Sequence, residues 1–123
     1  MPIVTINSAE KANEKFMTLL KKNTKVICFY YWKQCGYCVS FAPIWNKVTL
    51  QHKDNVMVVN IELEAVKALD DKFRVQAFPS IVVYKNGKKH AEFTKERNEK
   101  NVHDFLLAHK NSKKTEKKKP KQI

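Results

Sequence analysis

The stretch Cys35-Gly36-Tyr37-Cys38 constrains this chain more than any other, because it falls where an apolar strand must hand over to a helix. Before it runs Val26-Ile27-Cys28-Phe29-Tyr30-Tyr31-Trp32, which is β-branched and aromatic, too short for a typical helix and suited to a buried strand. After it, Phe41, Ile44, Trp45 and Val48 recur at helical spacing. Both sulfurs therefore belong to a strand-to-helix turn. The N-terminus of a helix carries positive partial charge and favours thiolate over thiol at the first cysteine. The spacing also brings the second thiol round to the first, within reach of an intramolecular disulfide, which is the geometry of a redox centre. Half of a zinc site is the other reading of such a pair. The chain offers no second Cys-x-x-Cys and no histidine pair at finger spacing, so no metal is assigned. Cys28 lies inside the strand run and reads as a small buried hydrophobe.

A chain of 123 residues, 43% hydrophobic, has room for one domain with one core. The N-terminal residues show no basic segment followed by a long apolar run, and the longest apolar stretch falls far short of a membrane span. The terminal Lys-Gln-Ile matches neither a prenylation nor an ER-retention signal. The expectation is a cytoplasmic, reducing setting. Half of the net charge of +12 lies from Lys110 onward, where seven lysines face one acid, Glu116. Residues 111–123 are expected to form a disordered tail behind a domain of residues 1–110. Such a tail solubilises the protein or binds polyanions weakly: nucleic acid, acidic lipid headgroups or an acidic protein.

Periodicity along the chain gives the order β-α-β-α-β-α-β-β-α. Ile3 to Ile6 reads as a short strand, and Asn7 or Ser8 as the cap of a helix whose apolar face is Ala12, Phe16, Leu19 and Leu20. Asn23 and Thr24 end that helix before the strand Val26 to Tyr31. The helix behind the cysteines is predicted to run to about His52, kinked at Pro43, which lacks an N–H. Val56 to Ile61 reads as a third strand, and Leu63, Val66, Leu69 and Phe73 as one helical face with Asp70, Asp71 and Lys72 on its wet side. Ser80 to Tyr84, the turn pair Asn86-Gly87 and Lys88 to Phe93 form a hairpin. Asn98 caps a last helix carrying Val102, Phe105, Leu106 and His109. Helix-joined strands are expected to be parallel and the hairpin antiparallel, giving a mixed five-stranded sheet covered on both faces.

This order resembles thioredoxin and the catalytic domains of protein disulfide isomerase. The likeness spans roughly residues 3 to 110 and rests on several features together. These are Phe29-Tyr30-Tyr31, Cys35-Gly36-Tyr37-Cys38, Ala42-Pro43, Asn60-Ile61-Glu62, Val75-Gln76-Ala77-Phe78-Pro79-Ser80 and Tyr84-Lys85-Asn86-Gly87-Lys88. The resemblance implies an α/β thioredoxin-like fold and thiol-disulfide exchange on protein disulfides. Cys35 and Cys38 would be the catalytic pair and redox-active disulfide, with no cofactor and with an unidentified dithiol or disulfide partner to recycle them. It implies that Pro79 is a cis-proline beside the cysteines and that Phe78 offers backbone groups to an extended substrate. Gly36 and Tyr37 complete the implied substrate surface, with Gly36 leaving room for the incoming disulfide.

Departures from the family pattern bear on mechanism. The position of its buried acid is Phe29, and that of the lysine paired with the acid in thioredoxin is Val58. Both polar partners are missing together, which is self-consistent, because a lone buried charge costs several kcal/mol. Gln34 stands where the family has tryptophan, with Trp32 nearby. Tyr37 replaces the proline of thioredoxins and the histidine of the isomerases and brings no charge. On a scale from roughly −270 mV to about −120 mV, this dipeptide places the pair towards the reducing end. Cys-x-Tyr-Cys also occurs in glutaredoxins, but the Asn-Gly-Lys hairpin and long first strand-helix unit here look like thioredoxin. Two other functions fit the same residues: a binding or chaperone-like module whose redox activity is incidental, and metal or iron-sulfur binding between two copies through Cys35 and Cys38.

Overall fold

Successive residues of the central strand face different helical layers. In β2 (Lys25–Tyr31), Val26, Cys28 and Tyr30 point to one side and Ile27 and Phe29 to the other, all buried. A strand buried on both faces needs a continuous apolar run, which this stretch supplies. The computed structural model describes residues 3–110, so the expectation of a disordered lysine-rich tail at 111–123 lies outside the described residues. On the first side, α1 (Ala12–Lys22) and α3 (Leu63–Val66) bring Phe16, Leu20, Ala65 and Val66 onto the sheet. On the second, α2 (Gly36–Gln51) and α4 (Glu99–Ala108) contribute Phe41, Trp45, Val48, Val102 and Leu106.

The five strands are ordered β1-β3-β2-β4-β5, with β1 at Ile3–Ile6, β3 at Val58–Glu62, β4 at Ser80–Lys85 and β5 at Lys88–Glu92. β3 runs parallel to β1 and β2. The sheet is mixed and carries helices on both faces, as the sequence predicts. One connection differs. β4 follows β3 through α3, yet it enters antiparallel to β2, with Phe29 opposite Ile81. Its first residues therefore lie where β2 ends, at the end of the sheet that carries the cysteines. The Asn86-Gly87 pair closes the hairpin with φ of 53° and 80°, the doubly left-handed turn this dipeptide favours. A register shift between Val83 and Tyr84 leaves His90 as an extra residue in β5.

Other boundaries move for local reasons. Neither Asn7 nor Ser8 caps α1: the helix begins at Ala12 after Lys11 in a left-handed conformation, and the Ser8 hydroxyl instead accepts from Glu10 N at 3.1 Å. The face Leu63 to Phe73 is not one helix. It divides into α3 and a 3-10 turn at Asp71–Phe73, which still delivers Leu69 and Phe73 to the core. β3 starts at Val58, although Val56 and Met57 are buried as well. α2 continues through Pro43, and Asn98 caps α4 by accepting from Asn101 N at 2.8 Å.

A polar pair is locked inside the first layer. Tyr30 donates its hydroxyl proton to the Phe73 carbonyl at 2.8 Å, so the Tyr84 hydroxyl, also at 2.8 Å, must donate to Tyr30. Removing the Tyr30 oxygen takes a partner from two buried groups, whereas removing that of Tyr84 takes none from a donor. Tyr30→Phe is therefore expected to cost about 2 to 3 kcal/mol and Tyr84→Phe about 1 kcal/mol or less, measured by urea unfolding. Equal costs would contradict this assignment of donor and acceptor.

Candidate active site

The turn before α2 is made by Trp32, Lys33, Gln34 and Cys35, with Cys35 N donating to the Trp32 carbonyl at 3.0 Å. It leaves Cys35 at the N-cap of a 16-residue helix, its sulfur accepting from Cys38 N at 3.2 Å. A sulfur in this position meets unpaired backbone N–H groups and the positive end of the helix dipole. Cys38 sits one turn in and is only 3% exposed. All three cysteines carry free thiols.

The two sulfurs have opposite tendencies. Burial pushes the Cys35 thiol up. The Cys38 thiol, the N–H groups of Cys38 and Tyr37 and the Arg97 guanidinium outweigh it, so Cys35 ionises below the ordinary cysteine value. Burial also pushes Cys38 up, reinforced by the Cys35 sulfur and only partly offset by the Trp32 backbone and Arg97, and its pKa reaches about 11. Cys35 is therefore the more readily ionised and the more nucleophilic of the two, and Cys38 is held as a thiol at neutral pH.

Phe29 explains the surroundings of Cys38. It is 4% exposed, stacked on Trp45 at 4.9 Å and on Tyr31 at 5.5 Å, with Phe41 against its edge at 5.8 Å. Among the described residues no carboxylate is stacked into this cluster. Glu62, the one buried carboxylate among the described residues, caps α3 by accepting from Glu64 N at 2.9 Å. Phe29, Tyr31, Trp32, Val39 and Pro43 line a mostly apolar groove of about 370 Å³ that Cys38 also borders. Trp32 thus lies on the Cys38 side, and exposed Gln34 stands beside Cys35.

The antiparallel entry of β4 brings the segment before it to the cysteines. The Phe78–Pro79 peptide is cis, and the Cys35 thiol donates to the Phe78 carbonyl at 3.6 Å. Tyr37 projects into solvent, 72% exposed, with Arg97 5.7 Å above its ring. A side chain at Gly36 would meet nothing within 4 Å, so any demand for glycine there comes from an incoming molecule. The structure therefore gathers Cys35, Gly36, Tyr37, Cys38, Phe78 and Pro79 at one end of the sheet.

Arg97 is the residue that sequence reasoning missed. It sits just before the α4 cap, in a segment without periodicity. Topology holds the clue: β5 is antiparallel to β4 and so runs with β2, and the loop after it returns to the cysteine end. Arg97→Gln is expected to raise the pH at which Cys35 becomes alkylated by iodoacetamide by a few tenths of a unit to about one unit. An unchanged pH profile would mean that its charge does not reach the sulfur.

The family model named Thioredoxin matches residues 7–108. Thioredoxin Y2, chloroplastic, of Arabidopsis thaliana is 33% identical over 87 residues, covering 69% of this chain and 52% of that protein. Protein disulfide-isomerase like 2-2 of the same plant is 29% identical over 89 residues, covering 72% of this chain and 20% of that one. The chain thus spans about half the length of the first relative and a fifth of the second. Among solved structures, the thioredoxin of Malassezia sympodialis superposes with a TM-score of 0.71 at 18% identity, covering 87% of this chain and 90% of that one, a likeness of fold.

Proposed function

The chain belongs to the thioredoxin family, and we propose that it is a thiol-disulfide oxidoreductase acting on protein disulfides through Cys35 and Cys38. The observation that carries this reading is the split between the two sulfurs, one lowered at the helix N-terminus and the other raised to about 11 in an apolar floor. The Cys35 thiolate attacks one sulfur of a substrate disulfide. A mixed disulfide forms, and the other substrate sulfur leaves as a thiolate. Cys38 loses its proton and attacks the Cys35 sulfur, releasing the second substrate thiolate and leaving a Cys35–Cys38 bond. Two electrons pass to the substrate, and a further dithiol must return them to the pair. Once Cys35 is a thiolate it no longer donates to Phe78, whose carbonyl is then free to accept from an extended substrate lying over Pro79. Tyr37 and Gly36 form the surface this substrate crosses. A reducing compartment such as the cytoplasm would keep the pair ready for attack.

Cys38→Ser is expected to accumulate mixed disulfides with substrate proteins, because the attacking sulfur survives and the resolving one is gone. Cys35→Ser is expected to trap none, as read by non-reducing electrophoresis. Equal trapping would reverse or abolish the assigned roles.

Resolution is the demanding step. Burial in the apolar floor, which persists when Cys35 is held in the mixed disulfide, keeps the Cys38 thiol above the ordinary cysteine value, so only a small fraction is thiolate at pH 7. Release of a pre-formed mixed disulfide is therefore expected to accelerate steadily from pH 6 to pH 9. Phe29→Asp sets a carboxylate in the floor and is expected to speed release near neutral pH. It also leaves a buried charge with Val58 where a lysine would be and removes the aromatic stack, together costing on the order of 3 to 5 kcal/mol of stability. A wild-type rate flat across this range would mean that another group already takes the proton.

A further inference from the structure

The end of the sheet away from the cysteines is strongly basic. β2 begins there at Lys25, seven residues or roughly 20 Å of strand before its far end. Lys25 lies directly opposite Lys85 on β4, and Lys85 directly opposite Lys88 on β5. Residues opposite one another share a face, so three ammonium groups are carried side by side across about 10 Å of sheet, an arrangement that costs stability. On the other side of the same edge, Lys21 and Lys22 end α1, and with Lys72 they border an open pocket of about 440 Å³ that also takes in Asn23, Thr24, Asn86 and Gly87.

None of these six lysines forms an ion pair among the described residues. The described acids that do pair, Asp54, Glu64, Asp71, Glu92, Glu99 and Asp104, take other cations. Lysines in a last helical turn are favoured by the helix dipole, which accounts for Lys21 and Lys22. It does not account for like charges set opposite one another on three strands. The described chain also ends at this pole: α4 finishes at Ala108 beside His109, which senses the charges of Lys25 and His90, and the sequence from Lys110 onward is lysine-rich.

We propose that this pole, made by Lys21, Lys22, Lys25, Lys72, Lys85 and Lys88, docks on the phosphate backbone of duplex nucleic acid, leaving the cysteines free at the opposite end. The charges are point-like and spread over two faces, as sequence-independent contact with closely spaced phosphates requires. The exposed large apolar side chains among the described residues are Trp32, Tyr37 and Val39 around the cysteines, with Leu50 on α2 and Leu107 on α4. The pole therefore offers no aromatic platform for unstacked bases; its exposed apolar side chains are Leu50 and Leu107, in the last turns of α2 and α4, and lysines spread over two faces do not share the one plane that a lipid surface would meet. Docked in this way, the dithiol would be presented to disulfides of proteins assembled on nucleic acid.

The test is fluorescence anisotropy of the full chain with a labelled DNA duplex of about 20 base pairs, between about 50 and 200 mM salt. The triple variant Lys25→Gln/Lys85→Gln/Lys88→Gln is expected to bind at least about tenfold more weakly at the low end. Its slope of log affinity against log salt should be shallower by about 2 to 3, one phosphate contact per lost lysine. It should melt no lower than wild type, since a row of like charges is relieved, and should keep its insulin-reducing activity. Lys21→Gln/Lys22→Gln/Lys72→Gln is expected to behave alike from the other face. A full chain whose lysines beyond Lys110 are all glutamine should keep duplex binding that the Lys25 triple substitution then removes. Wild-type binding by both triple variants, or loss of all salt-dependent binding with the lysines beyond Lys110 alone, would overturn the proposal. So would tighter binding to phosphatidylserine vesicles or to polyglutamate at the same salt.

Discussion

The hydrogen bond from Cys38 N to the Cys35 sulfur is the contact on which the rest of the candidate site depends. It fixes one sulfur over the open N-terminus of α2, and because the helix rises from that point it turns the second sulfur inward, towards Phe29 and its aromatic neighbours. Two identical side chains thereby acquire opposite acid strengths from position alone. The Cys38 thiol, the backbone N–H groups and the Arg97 charge outweigh partial burial at the first, while desolvation governs the second.

Everything around this contact follows from how the sheet is strung. β2 ends at the turn that presents the cysteines, and β4, entering antiparallel, starts at the same end and so sets Phe78 against Cys35. β5 then returns the chain to that end and delivers Arg97 over Tyr37. The reversed entry of β4 thus turns one nucleophilic turn into a bordered site. The same stringing leaves the starts of β2 and β5 and the ends of α1, β4 and α4 at the opposite pole. The dithiol and the lysines of the far pole thus lie at opposite ends of the strands.

Much of this was legible in the sequence because it is written in local periodicity. The strand Val26 to Tyr31, the turn Asn86-Gly87 and the Asn98 cap were all readable, each depending on residues within a few positions of one another. What was hidden depends on distant contacts. The spacing Leu63 to Phe73 fits one helix, yet the chain breaks at Asp70 to bring Phe73 beneath Phe16 and Tyr84, a choice made by aromatic packing at 5.0 and 5.4 Å. The start of α1 was misplaced because the Ser8 hydroxyl closes a tighter turn of its own before the helix begins. Arg97 carries no local pattern and becomes meaningful only once β5 is known to run beside β4. Phe29 was visible as a missing acid, but the reason it is tolerated, a stack with Trp45 whose indole N–H is bound by Asn60 at 2.8 Å, required the fold. Tyr37 suggested a pair without a nearby positive charge, and Arg97 supplies one from another element.

The asymmetry of the two sulfurs is tested most directly by titrating each one separately. Carbon-13 labelling at the cysteine β-carbons of the reduced full chain would follow Cys35 and Cys38 by NMR from pH 5 to about pH 12, where the β-carbon shift reports ionisation of the attached thiol. Cys35 is expected to titrate below the ordinary cysteine value and Cys38 near 11, with buried Cys28 above both its ordinary value and the range in which Cys35 responds. Titration of Cys35 and Cys38 together, within about one unit of the ordinary value, would contradict the division of roles between an activated and a shielded sulfur.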